Sequence, residues 1–367
     1  MTVASFLEKD NNNFDLIRLI LACMVICGHA ELINIVHDNW TEFLYAYLPP
    51  TSYGDVAVKI FFFLSGLLIT SSFLKNPSII SFLVSRVFRL LPALIFVSFL
   101  VAIVFGPFIS SLPVSTYFSD NQPFLYVLKN AFLKIQFQLP GVFETHASTS
   151  ANGSLWTLPI EFRYYLILLG ILLISGAIQR LQKSSGSSVS DISSFRRPFN
   201  LLFVIIVADA LLFNQHLIAA FGDKPSTNLL PIAFGFGMFV ALNSERLVLD
   251  HRITVGLFLL FFMLKQAAFF EIIFIFFYCV LAFYLATRKS LFRFKPRLDL
   301  SYGIYLWGYF VQQCLFHYLG SIHIYLHIVL AIGISVVLAY FTHILVEKPF
   351  IKFGKNLISF LKNKFQF

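Results

Sequence analysis

The sequence has 367 residues, of which 58% are hydrophobic and 12% are charged, and its net charge is +9. Soluble domains carry about 25% charged residues, so this composition excludes a soluble core and predicts an all-α, polytopic integral membrane protein. Because the basic residues collect between apolar runs, the positive charge reports membrane topology and excludes nucleic acid as the expected partner.

Apolar runs along the chain are long enough to cross a bilayer, for which an α-helix needs about 17–25 residues. We predict about ten transmembrane helices, at 15–36, 54–74, 88–108, 155–178, 199–220, 228–244, 253–269, 271–287, 300–319 and 323–345. The seventh and eighth runs are separated only by Lys265, Gln266 and Glu271, where a tight outer turn is expected. With the N-terminus placed inside, most of the 27 lysines and arginines fall in inner segments, so both termini are predicted to be cytoplasmic.

Three connecting segments have distinct compositions. The longest outer connection, 109–153, is rich in Ser, Thr, Pro and Asn and leads into the fourth predicted helix, which is typical of a functional loop. Residues 183–194 predict a flexible inner linker. The membrane domain is predicted at 14–350, and Pro349 is expected to end its last helix. Residues 351–367 are expected to form a basic amphipathic cytoplasmic tail that lies on anionic lipid.

Two ionisable residues lie inside the first apolar run, where they are costly and therefore indicate function. Arg18 and His29 are eleven residues apart, which places them on one face of a helix and about 16 Å apart along it. Asp15 is positioned to pair with Arg18 and is also a candidate substrate contact. The alternatives are that Arg18 extends to the lipid headgroups and that His29 is a buried structural residue. Because Arg18 and His29 share one helix face, a catalytic role is favoured, and the His29 imidazole can exchange a proton near neutral pH.

Arg86 and Arg89 lie three residues apart at the predicted inner surface, before the third span. Such a pair also arises from topology alone, because inner loops are enriched in arginine. As a functional feature it predicts a phosphate clamp, since guanidinium groups bind phosphate through paired donors. With Arg18 arriving at the same surface, the three predict a polyanionic cytosolic donor such as coenzyme A.

Further candidates lie in the second and fourth predicted helices. Glu161 is an embedded acid near Trp156 and is expected to orient a hydroxyl acceptor or to pair with His29. Trp156 is alternatively a residue of the interfacial aromatic belt. Ser65 and Gly66 favour helix packing, although Ser65 is kept as a candidate substrate contact.

Other polar segments are interpreted as structural. These are 298–313 and 345–353, which surround the last two predicted helices. His317, His323 and His327 gather near the outer face, but no carboxylate or cysteine accompanies them at ligand spacing, so no metal is expected.

Taken in order, several motifs resemble the acyltransferase-3 family of bacterial membrane proteins. They are F-D-x-x-R with Arg18 and His29, F-x-L-S-G-x-L-I-T, R-x-x-R before L-P-A, S-L-W-T-L-P-I-E-F, S-Y-G-I-Y-L-W and the final V-E-K-P-F. The resemblance covers residues 14–350. One departure is Glu161-Phe162-Arg163, where many members carry two acids, or an acid and a glutamine. Another is that the chain is expected to lack the fused periplasmic domain of some members.

The resemblance implies a multi-pass enzyme of the bacterial inner membrane. It would move an acyl group, commonly acetyl, from cytosolic acyl-CoA to a hydroxyl of a surface or lipid-linked glycan such as O-antigen, capsule or exopolysaccharide. It implies that Arg18 and His29 are essential, that Arg86 and Arg89 contact the donor, and that Glu161 and Trp156 lie near the acceptor. His29 would act as a general base or become acylated itself. The alternative is a transporter or flippase of a lipid-linked saccharide or acyl donor, and the oligomeric state stays open.

Overall fold

The computed structural model describes residues 2–34, 52–184, 193–212, 229–264 and 270–365. Within these ranges the chain is helical, without a β-strand. Its main helices are α1 Phe14–Ile33, α2 Tyr53–Lys75, α3 Ile79–Phe99, α4 Val114–Ser119, α5 Gln122–Ala131, α6 Thr157–Ser184, α7 Ser193–Leu212, α8 Leu230–Leu242, α9 His251–Met263, α10 Phe270–Ala286, α11 Ser301–Leu319, α12 Ile324–Thr342 and α13 Lys348–Phe365.

In the part of the chain that the structure describes, five helical segments are long and apolar enough to cross a membrane, which confirms the prediction of a helical multi-pass membrane protein. They are Phe14–Ile33, Tyr53–Lys75, Ile79–Ile109, Gly153–Ile174 and Ile324–Lys364, and the helices α8, α9 and α10 are shorter and apolar. Several predictions lie outside the described residues: the turn at Lys265 and Gln266, the ends of the fifth and seventh predicted spans, and most of the 183–194 linker.

Helix α3 begins at Ile79, earlier than the predicted residue 88. The hydropathy signal rises only after Arg86 and Arg89, whereas the helix starts where the Ser78 side chain accepts the Ser81 backbone N–H. Arg86 and Arg89 are therefore helical residues that project from α3.

The predicted end of the last span at Pro349 is wrong, because the helix continues from α12 into α13. A π-helical turn at His343–Glu347 joins the two, and Pro349 then falls in the first turn of α13. The first turn of a helix tolerates proline, because its missing N–H needs no intrahelical acceptor there. The same arrangement occurs after α3, where the π-helical turn Leu100–Phe105 precedes Pro107.

The bundle centre is formed by α1, α2, α8 and α11. The end where α1 begins is called here the proximal end, and the opposite end the distal end. Helices α1 and α11 run in the same direction, since Arg18 contacts Asp299 just before α11 and His29 contacts Tyr309 further along it.

A segment without α-helix descends through the distal half of this bundle before α6 begins. Asn152 donates a hydrogen bond to the Leu306 carbonyl, and Tyr305 bonds to both Ser154 and Thr157. Tyr305 is only about 6 Å along α11 from its start, so α6 begins inside the bundle. Irregular backbone at such a depth is tolerated because it is buried in protein.

Close contact between α2 and α8 requires glycine on both helices. A Cβ on Gly66 would lie 2.1 Å from the Phe234 carbonyl oxygen, and one on Gly237 would lie 2.1 Å from the Phe63 oxygen. Small residues at such crossings let membrane helices approach closely.

Gly66→Ala is expected to lower the thermal unfolding midpoint by several degrees, because overpacking a core costs about 1–3 kcal/mol. Tryptophan fluorescence or a thiol-reactive dye in detergent would report the midpoint. Gly256→Ala is the matched control, since nothing lies within 4 Å of its added Cβ. Equal midpoints for the two variants would contradict the packing described.

Candidate active site

A cavity of about 290 Å³ lies between α1, α2, α3, α6 and α11. It is lined by Arg18, Val58, Phe61, Phe62, Ser65, Leu68, Ile69, Arg86, Arg89, Leu90, Thr157, Leu158, Glu161, Tyr165, Ser301, Tyr302 and Tyr305. The α2 residues from Val58 to Ile69 span about 16 Å of helix. The cavity is therefore elongated, with arginines at its proximal part and Thr157 with Tyr305 toward its distal part.

Two of the three arginines at the cavity share one carboxylate. Asp299 Oδ2 lies 2.8 Å from Arg89 Nη2 and 3.6 Å from Arg18 Nη1. Arg18 also lies 3.6 Å from Asp15. Among the described residues, no carboxylate lies within 4.0 Å of the Arg86 guanidinium, whose Nε donates a hydrogen bond to the Ser85 hydroxyl. The cluster therefore presents a partly buried guanidinium group that is available to an anion.

The charge state of Asp299, which lies outside the spanning helices, follows from these neighbours. Burial raises the pKa of the Asp299 carboxyl, but the Arg89 and Arg18 guanidiniums and the Ser301 hydroxyl outweigh burial and lower that pKa to about 2. Asp299 is therefore ionised at neutral pH and orients two of the three arginines.

Asp299→Asn is expected to lower the thermal midpoint at neutral pH, because it removes the carboxylate that two partly buried guanidiniums share and leaves Arg18 only the ion pair with Asp15. The folded-state pKa of about 2 lies below the ordinary value of about 3.9. The stabilisation is therefore present above the ordinary value and lost as the pH falls toward the folded value.

The difference in thermal midpoint between wild type and Asp299→Asn should accordingly shrink across that acid range. Asp10→Asn, at an exposed position, is the control and should show no such dependence. A pH-independent difference for Asp299→Asn would contradict the ion pairs as its cause.

Glu161 lies on the cavity wall facing α2. Its Oε1 accepts a hydrogen bond from the Ser65 hydroxyl at 2.9 Å and another from the Tyr165 hydroxyl. Both partners line the same cavity, so Glu161 organises a polar part of its wall. It does not pair with His29.

His29 lies outside the cavity lining, toward its distal end. Its ring meets the Tyr309 ring edge-on at 5.0 Å, and its Nδ1 is buried without a hydrogen-bond partner. A Cβ on Gly28 would lie 2.5 Å from the Gly54 nitrogen, and Val58 of the cavity wall is about 6 Å further along α2. The cavity therefore reaches to within about one helical turn of the level of His29.

The structure gathers most of the residues selected from sequence, but not all. The cavity wall includes Arg18, Ser65, Arg86, Arg89 and Glu161. Asp15 touches Arg18 without lining the cavity, and Trp156 lies in the turn Gly153–Trp156 ahead of α6.

Residues of the segment interpreted as structural, 298–313, contribute to the site. Asp299 holds the arginines, Tyr302 and Tyr305 line the cavity, and Tyr309 contacts His29. The available signal was an acid immediately before a tyrosine-rich apolar helix, since acids near membrane helices need a cationic partner.

Chemically, the site offers paired guanidinium donors at one end, a carboxylate–hydroxyl wall in the middle and an imidazole beyond the other end. Guanidiniums bind phosphates, and an imidazole exchanges protons or acts as a nucleophile. The arrangement suits a long anionic molecule whose reactive group lies far from its phosphates.

Comparison with known proteins agrees with this chemistry. The family model described as an acyltransferase domain matches residues 11–344. The chain is similar to an O-acetyl transferase of Shigella phage Sf6, 35% identical over 159 residues, which cover 43% of this chain and 44% of that protein. It is similar to nodulation protein 10 of Rhizobium leguminosarum bv. viciae, 28% identical over 391 aligned positions, which cover 95% of each protein. No solved structure matches the chain.

Proposed function

The chain belongs to the acyltransferase-3 family and is a membrane acyltransferase, and we propose that it moves an acetyl group from cytosolic acetyl-CoA to a glycan. The acceptor is a hydroxyl of a surface or lipid-linked glycan such as O-antigen, capsule or exopolysaccharide. The similarity to the phage O-acetyl transferase supports acetyl as the group transferred.

We place the protein in the bacterial inner membrane with both termini and the proximal end of the bundle in the cytosol. The lysines and arginines between the helices support this orientation. The donor would then enter the cavity from the proximal end, and the acceptor would approach His29 from the distal end.

The observation that carries the proposal is the convergence of Arg18, Arg86 and Arg89 on one cavity, with Arg86 lacking a carboxylate partner among the described residues. Coenzyme A bears several phosphates at one end and its thioester at the end of a long, flexible arm. With the phosphates on the guanidiniums, that arm would follow the cavity toward Thr157, Tyr305 and His29.

The reaction would replace the thioester by an ester. In the direct version, the acceptor hydroxyl attacks the thioester carbonyl, His29 takes the hydroxyl proton, and the carbon–sulfur bond breaks to release the coenzyme A thiolate. In the two-step version, the His29 nitrogen attacks first and the acceptor hydroxyl then takes the acetyl group from it. Both versions release one thiol for each ester formed, and protonation of the thiolate balances the proton.

Calorimetric titration of the purified protein with acetyl-CoA tests the proposal against a flippase. We expect saturable binding that weakens at high salt, because phosphate contacts are ionic. A flippase of a lipid-linked saccharide has no need to bind acetyl-CoA, so the absence of binding would favour that alternative.

A further inference from the structure

Tyr309 lies between His29 and the segment that descends into the distal half of the bundle. Its ring centroid is 5.0 Å from that of His29, with the ring planes at 80°. Its hydroxyl forms a 2.6 Å hydrogen bond with the Ser148 hydroxyl. The side chain is 5% exposed, so one buried residue touches both the imidazole and the descending segment.

The segment 146–152, called here the distal strip, is fixed to α11 by a second residue. Gln313 Nε2 donates to the carbonyls of Ser148 at 2.7 Å and of Ser150 at 2.9 Å. The Gln313 amide oxygen lies 2.8 Å from His146 Nδ1, within hydrogen-bonding distance. Gln313 and Tyr309 are four residues apart on α11 and so share one face of that helix.

The contact between Tyr309 and the descending segment has no free space. A Cβ on Gly153 would lie 2.6 Å from ring atoms of Tyr309. The ring therefore cannot shift toward this backbone, and the segment cannot approach α11 more closely. A displacement of the distal strip would therefore also move the Tyr309 ring, which packs against His29.

The distal strip also has the chemistry of a saccharide contact. His146, Ser148 and Ser150 are half-buried. The Ser148 hydroxyl and the Ser148 and Ser150 carbonyls already bond to Tyr309 and Gln313, but each of these oxygens keeps a second lone pair that can accept from a sugar hydroxyl. The strip lies distal to Tyr305, away from the arginines, which is the side the proposed acceptor would use.

We propose that Tyr309 is a positioning residue that couples an acceptor-binding distal strip to His29. This inference rests on the proposed acetyl transfer to a glycan. The Tyr309 ring holds the imidazole by its packing, and its hydroxyl holds Ser148, so that an acceptor bound to the strip presents its hydroxyl at a fixed distance from His29. Loss of the hydroxyl link leaves the donor site intact and loosens the acceptor.

The test measures incorporation of radioactive acetyl from acetyl-CoA into a lipid-linked oligosaccharide extract of bacterial membranes. Tyr309→Phe and Ser148→Ala each remove one side of the same hydrogen bond. Each is expected to raise the extract concentration for half-maximal incorporation about fivefold, which corresponds to one hydrogen bond. The double variant should match the single variants, and the KM for acetyl-CoA should change by less than about twofold.

Two further variants separate positioning from folding. Ser148→Thr keeps a hydroxyl at the strip and is expected to restore most of the acceptor affinity. Tyr318→Phe removes an exposed hydroxyl from the same helix and is the matched control.

Each contrary result has a distinct meaning. The coupling through Tyr309 would be overturned by any of three results, each of which leaves acetyl transfer established. The single variants could need the same extract concentration for half-maximal incorporation as wild type, or their increases in that concentration could multiply in the double variant. The KM for acetyl-CoA could also rise by as much as the half-maximal extract concentration. A wild-type protein that incorporates no label would overturn the proposed function, and the coupling with it.

Discussion

His29→Ala is expected to reduce acetyl transfer by about a hundredfold to ten-thousandfold, the range that a positioned acid–base group contributes. The imidazole lies beyond the distal end of the cavity, its Nδ1 has no partner, and Tyr309 packs against its ring. Either version of the mechanism needs this side chain, as base or as nucleophile.

Incorporation of labelled acetyl into the oligosaccharide extract measures this loss, and the binding of acetyl-CoA to His29→Ala should stay close to wild type. That split between binding and turnover separates a chemical role from a folding defect. His327→Ala is the control histidine, since His327 is buried on α12 outside the cavity lining. If His29→Ala retained wild-type transfer, both versions of the mechanism would be lost.

Arg86→Ala is expected to weaken acetyl-CoA binding by about tenfold to a hundredfold, as for the loss of a charge-assisted hydrogen bond to phosphate. Arg86 is the informative arginine because Arg18 and Arg89 also hold Asp299, so that removing either disturbs the fold as well as the ligand. Arg86→Lys keeps the positive charge but lacks the planar guanidinium, so its affinity for acetyl-CoA should lie between those of wild type and Arg86→Ala.

Calorimetry gives the dissociation constants, and 3′-dephospho-CoA in place of coenzyme A identifies which phosphate is bound. Arg252→Ala removes an exposed arginine at the start of α9 and serves as the control. An unchanged affinity in Arg86→Ala would mean that the arginine cluster serves topology or stability and not the donor.

Local features of the site were predictable from the sequence because they depend on helix geometry. The spacing of Arg18 and His29 put both on the side of α1 that faces Asp299 and Tyr309, and the spacing of Arg86 and Arg89 put both on one side of α3. The resemblance to the acyltransferase-3 family, carried by ordered short motifs, is confirmed by the family match over residues 11–344.

What escaped prediction depends on contacts between distant parts of the chain. Asp299 meets Arg89 across 210 residues, and no local pattern indicates that pairing. The descent of the distal strip also follows from its partners Tyr309 and Gln313 on α11, and the hydropathy of this connection carries no sign of those contacts. At Pro349 the local rule failed because a π-helical turn directly precedes the proline, which places it in the first turn of α13, where a missing N–H is tolerated.

Acetyl transfer through His29 is tested most directly by thiol release from acetyl-CoA by the purified protein, with the oligosaccharide extract present, compared between wild type and His29→Ala. We expect continuous thiol release by wild type, stimulated by the extract and matched by ester formation, and its loss in His29→Ala. Wild-type protein that neither binds acetyl-CoA nor releases thiol in the presence of extract would contradict acetyl transfer from coenzyme A.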